Sequence, residues 1–163
     1  MKILFALCLI VSSLTANAQN TKMHVVLTGG KNAGTYDFTS AETTCSCNII
    51  EGIAFGNQFS LKDGNGVTSL QLIVPDRKKA TSGTDVFYVK VAFGKRFVGP
   101  KYELGKEAMK VTEKANGTLK LSQTTNSTVA TISGTTKDGV KMEVKLECFK
   151  MMTATGIEVT KCQ

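Results

Sequence analysis

The chain has 163 residues, a formal net charge of +7, five cysteines, one histidine and no tryptophan. This length fits one domain that buries most of its apolar surface in a single core. No run of 18 apolar residues is present, which argues against a helical membrane span, and the lone His24 is the only histidine a Ser-His-Asp or Cys-His engine has to use.

The first residues read as a targeting segment. Lys2 is followed by an apolar run over 3–11, too short to cross a bilayer at about 1.5 Å per helical residue. Ser12 and Ser13 then lead to Ala16-Asn17-Ala18, the small-x-small pattern that signal peptidase accepts. A cleaved signal over residues 1–18 is expected, with Gln19 as the mature start and residues 19–163 as a single exported domain. Removing Lys2 leaves 19 Lys and Arg against 13 Asp and Glu, a net of +6.

Beyond that segment the apolar residues recur with period two, the spacing that puts alternate side chains on one face of a strand. In chain order, strands are expected over 23–28, 34–39, 47–54, 58–62, 67–74, 84–93, 117–124, 127–136, 140–149 and 156–162. The clearest is the last but one: Val140, Met142, Val144, Leu146 and Cys148 share a face, and Lys141, Glu143, Lys145 and Glu147 occupy the other. Asp138-Gly139 tolerates positive φ and joins this run to the threonine-rich segment before it as a hairpin. Leu119 and Leu121 extend that hairpin to a three-stranded meander. Leu70, Leu72 and Val74, with Phe87, Val89, Val91 and Phe93, are the core candidates of the middle region.

Gly29-Gly30-Lys31-Asn32 and Asp63-Gly64-Asn65-Gly66 read as turns. The second lacks the later acidic ligands of a calcium loop, so no metal is assigned to it. One helical turn is expected near 102–114, where Leu104, Ala108 and Val111 lie four and three residues apart, with Gly105 weakening the pattern. The fold class that follows is all-β: an antiparallel sandwich or partly open barrel of about 8–10 short strands.

Four cysteines survive processing: Cys45, Cys47, Cys148 and Cys162. An even count in an exported chain points to two disulfides. A Cys45 to Cys47 bond closes a very small ring between Cα atoms roughly 6.5 Å apart on one strand face. Each is therefore expected to bond one of Cys148 and Cys162. Zinc and thioredoxin-like sites use two residues between cysteines rather than one, so neither metal nor redox chemistry is assigned to Cys45-Ser46-Cys47.

Residues 75–114 hold ten cations and five acids, nearly all of the excess positive charge. Arg77, Lys78 and Lys79 are expected in one turn. Lys95 and Arg96 beside Phe97, and Lys101 beside Tyr102, are expected in another. If the two loops meet at one end of the sandwich, they focus positive potential on an anionic partner. Asn116-Gly117-Thr118 and Asn126-Ser127-Thr128 are glycan acceptor sequons in a eukaryotic secretory pathway. No nucleotide-binding or zinc-protease motif is present, and no cofactor is expected.

The sequence therefore predicts an exported, non-enzymatic binding or structural component, periplasmic, cell-surface or extracellular, with another protein as the first partner. Its candidate classes are a part of an envelope assembly and an inhibitor of a secreted protein. The alternatives are a binder of anionic glycans or lipid head groups through the basic region, and a secreted hydrolase built on acids distant in sequence. Nucleic acid is the less expected partner for an exported chain.

Overall fold

The computed structural model describes residues 20–48, 55–60, 66–83, 85–95, 98–106 and 113–162. The expected signal over 1–18 lies outside them, as do residues 49–54, most of the 63–66 turn, and residues 107–112 of the expected helical turn. The described elements are β1 (Thr21–Thr28), β2 (Gly34–Ser40), β3 (Thr44–Cys47), β4 (Phe55–Ser60), β5 (Val67–Val74), α1 (Arg77–Ser82), β6 (Tyr88–Phe93), β7 (Lys101–Leu104), β8 (Gly117–Gln123), β9 (Thr128–Thr135), β10 (Lys141–Cys148), β11 (Met151–Thr153) and β12 (Glu158–Val159). They form two sheets, ordered β2-β1-β10-β9-β8 and β12-β11-β3-β4-β5-β6-β7. The protein is an all-β sandwich rather than a barrel, with twelve strands among the described residues.

Alternation dictates which face is buried. Along β10 the odd-numbered side chains from Lys141 to Lys145 are exposed, whereas Met142, Val144, Leu146 and Cys148 are buried. Along β6, Val89, Val91 and Phe93 turn inward and meet Leu70, Leu72 and Val74 of β5 in one core with Met23, Val25 and Leu27 of β1. Full burial of a Leu, Val or Phe side chain contributes about 1.5–3 kcal/mol, so this shared core is what holds the two sheets face to face. The meander β8-β9-β10 forms as expected, and Gly139 at φ 78° turns the chain between its last two strands.

The structure differs from the sequence reading in several elements: β3 ends at Cys47, where the expected strand 47–54 begins, only Glu158–Val159 of the expected strand 156–162 is strand, and β11 is not among the expected strands. Two further differences fall in the basic region. Arg77-Lys78-Lys79 open a short helix rather than a turn. The Asp76 carboxylate accepts the Lys79 N–H at 3.1 Å, Ala80 is buried, and Gly83 at φ 95° ends the helix. Conversely, Tyr102 to Leu104 belong to strand β7 and not to a helix. Tyr102 and Leu104 both point inward, and the ladder Val91↔Tyr102 and Val89↔Leu104 satisfies their backbone, which outweighs the weak i, i+4 spacing.

The sheets are crossed rather than aligned. Tyr102 at one end of β7 reaches Asn32 in the β1–β2 turn, while Leu104 packs on Gly134 of β9. Two residue steps of strand, at about 3.3 Å each, thus run across the ends of β1, β10 and β9, which are spaced by about 4.8 Å. A Cβ on Gly134 would collide with the Asn116 carbonyl oxygen and lie 2.8 Å from both Gly117 Cα and Leu104 Cδ1, so glycine is set there first by the backbone of the neighbouring strand, and it also leaves room for Leu104.

At the opposite end of the first sheet the contacts come from β3. Cys45 bonds Cys148, the last residue of β10, with the Thr21 hydroxyl 3.6 Å from the Cys45 sulfur. Cys47 bonds Cys162 beyond β12. The Cα separations, 6.2 and 5.7 Å, are ordinary for disulfides. Each bridge joins residues more than 100 apart, and the first links the two sheets directly.

Replacing Cys45 and Cys148 together by alanine is expected to cost about 4–5 kcal/mol of stability in the chain-entropy account. Urea titration would show this as a lower midpoint, with a steeper slope because the unlinked denatured chain exposes more surface. A loss under about 1 kcal/mol would mean that the core, and not the cross-link, confines the chain.

Candidate functional site

The cations singled out by sequence are distributed by the register of β5 and β6. Val67 pairs with Phe93 and Ile73 with Tyr88, so α1 lies at one end of this hairpin while Lys95 and Lys101 lie at the other. Seven residue steps of β5 separate the two groups by roughly 20 Å or more. The structure does not bring Arg77, Lys78 and Lys79 together with Lys95 and Lys101, and Arg96 and Phe97 lie outside the described residues.

At the α1 end three cations pair with nearby acids. Lys79 sits 3.6 Å from Asp76, Lys106 2.8 Å from Glu113, and Lys114 2.7 Å from Asp85. Asp76 is the helix cap, and the backbone N–H of Lys79 holds its carboxyl below its ordinary range. These are surface pairs that contribute little to stability, but they dissipate the field.

The other end is different. There the β6–β7 turn meets the β1–β2 turn through Tyr102, whose hydroxyl donates to Asn32 Oδ1 at 3.0 Å and accepts the Asn32 N–H at 3.3 Å. Tyr36 donates to the Asn32 carbonyl at 2.9 Å. Its ring meets Phe93 edge-on at 5.0 Å, and Phe93 meets Tyr102 edge-on at 5.6 Å. Asn32 thus clamps two tyrosines from different sheets over a buried phenylalanine. Around this clamp the chain presents Lys31, Lys95 and Lys101, all exposed, and among the described residues no carboxylate pairs with any of them.

Lys31 is the member that sequence reasoning missed. It appears there only as a residue of a glycine-rich turn, and nothing local says that this turn packs against β7. The turn depends on Gly30, at φ 75°, where a Cβ would lie 2.9 Å from Val140 Cγ2 and 3.6 Å from the Tyr102 hydroxyl.

A second feature lies on the outer face of the first sheet. A shallow depression of about 250 Å³ is lined by Lys22, Met23, His24, Asp37, Phe38, Thr39, Lys145 and Glu147. His24 and Asp37 are directly opposite on β1 and β2, and His24 Nδ1 is 2.6 Å from Asp37 Oδ1. Both side chains are well exposed, as in an ordinary cross-strand surface pair. Thr39, the hydroxyl residue in the lining, stands opposite Lys22 rather than His24.

Among the described residues no group of three or more His, Cys, Asp or Glu side chains is arranged to hold a metal ion. Nor is any helix among them long and apolar enough to cross a membrane. The sequons at Asn116 and Asn126 are both exposed.

Comparison with known proteins finds no match to any protein-family model, curated protein or solved structure.

Tyr102→Phe is expected to destabilise the protein by about 1–2 kcal/mol, because it leaves Asn32 with one bond to Tyr36 and unpaired polar atoms. Thermal unfolding of the variant, with unchanged far-ultraviolet dichroism, would check this. The Asp76 cap has a sign that acid titration can test. Its pKa is depressed in the folded state, so its contribution is present above the unfolded value and is lost as pH falls through the lowered one. Hydrogen exchange at the Ala80 amide should therefore accelerate on acidification beyond its intrinsic pH trend, and Asp76→Ala should abolish that excess.

Proposed function

We propose that this is an exported, non-enzymatic binding protein that engages an anionic partner through the corner formed by Lys31, Lys95 and Lys101. The observation that carries the reading is the contrast between the two ends of the β5–β6 hairpin. Three cations near α1, Lys79, Lys106 and Lys114, pair with acids, whereas Lys31, Lys95 and Lys101 around the Tyr102–Asn32 clamp are exposed with no described carboxylate paired to them. A rigid base with outward positive charge supports recognition of sulfate, phosphate or carboxylate groups carried by a larger molecule. The two disulfides are compatible with an oxidising compartment, in keeping with the expected export signal.

A protein partner is the second reading, and β2 favours it. This seven-residue strand is an edge of its sheet and contains neither lysine nor proline, the usual guards of an exposed edge.

Chromatography on immobilised heparin separates a local site from bulk charge. Reversing Lys31, Lys95 and Lys101 to glutamate should move elution to clearly lower salt. Reversing Arg77, Lys78 and Lys79 changes the net charge equally and should leave elution close to that of the parent. Equal loss from both triple variants would reduce the effect to net charge, and a parent protein unretained at low salt would end the reading.

A further inference from the structure

We infer that the partner of this corner is an anionic lipid surface, into which Val98 inserts while Lys31, Lys95 and Lys101 contact head groups; this rests on the anionic-partner reading above. The structural reason is the β6–β7 turn. Val98 is 79% exposed, the most exposed large hydrophobic residue among those described. Its position is imposed by the backbone. The Lys95 carbonyl accepts both the Val98 N–H at 3.1 Å and the Gly99 N–H at 3.0 Å, and the Phe93 N–H bonds the Pro100 carbonyl at 2.9 Å. A Cβ on Gly99 would collide with the Phe93 carbonyl oxygen, so the turn closes tightly only with glycine there.

The result is a turn closed by backbone bonds, in which Val98 is exposed and exposed Lys95 and Lys101 lie on either side of it in the chain. Lys95 begins the turn, Lys101 follows it, and Lys31 approaches through the clamp between Asn32 and Tyr102. A soluble acidic glycan matches the lysines but gains nothing from an exposed valine. An anionic bilayer matches both, because its charged head groups overlie an apolar zone within reach of a short side chain. The other well-exposed aliphatic residue, Ile157, lies in the β11–β12 turn, at the opposite edge of the same seven-stranded sheet, and serves as an internal control.

The chain contains no tryptophan, so Val98→Trp introduces a single fluorophore into the full oxidised protein. With vesicles of phosphatidylglycerol and phosphatidylcholine its emission should shift to the blue and become shielded from acrylamide. With phosphatidylcholine alone, and for Ile157→Trp with either vesicle, it should not. Adding Lys95→Glu and Lys101→Glu should weaken partitioning by about tenfold or more, since each basic residue near an anionic surface contributes about a fivefold factor. Val98→Ser, which leaves the charge intact, should reduce co-sedimentation with anionic vesicles severalfold while leaving heparin elution unchanged.

Heparin retention without a blue shift on anionic vesicles would overturn the lipid assignment and leave the anionic-partner reading standing. Vesicle binding that Val98→Ser does not weaken would overturn insertion. Failure to bind either heparin or anionic vesicles would remove both.

Discussion

The Cys45–Cys148 bond is the constraint on which the geometry turns. It fastens β3 of one sheet to the last residue of β10 in the other, at the point where the chain itself crosses between sheets over residues 149–150. β3 has only four residues, three of them paired to β4 and two to β11, so its ladder alone is a weak anchor. Cys47–Cys162 then secures the region beyond β12, whose pairing with β11 involves two residues. Short strands with few ladder bonds thus become a defined wall, because covalent links remove the freedom that the hydrogen bonds are too few to restrict.

Crossed packing follows from that anchoring together with the opposite corner. At one end of the first sheet sulfur chemistry holds β3 against β1 and β10. At the other, β7 lies across the ends of β1, β10 and β9 and is held by Tyr102 on Asn32 and Leu104 on Gly134. The two ends use different physics. A disulfide tolerates little but an oxidising setting, whereas the tyrosine clamp depends on shape, a glycine at position 30 and three hydrogen bonds to one asparagine.

This arrangement also governs electrostatics. The same register that places α1 far from the β6–β7 turn divides the basic middle of the chain into two populations. One lies among acids from the segments that flank α1 in space. The other surrounds an aromatic clamp that buries apolar area and leaves the lysines facing outward. A patch is therefore a property of the strand ladder as much as of composition, and counting cations along 75–114 overstates what any one surface presents.

Period-two alternation in β5, β6 and β10 determined the fold class, because only a pleated strand sorts Met142, Val144 and Leu146 from Lys141, Glu143 and Lys145. Cysteine spacing likewise determined that Cys45 and Cys47 bond elsewhere, since neighbours on one strand face are held apart by the pleat. The sequence did not determine which partner each takes, or that Lys31 joins Lys95 and Lys101. Those outcomes depend on contacts between residues up to 115 positions apart. The strand order of the seven-stranded sheet brings Cys47 to Cys162, and the packing of the two sheets brings Cys45 to Cys148 and Lys31 to the β6–β7 turn; no local pattern encodes either.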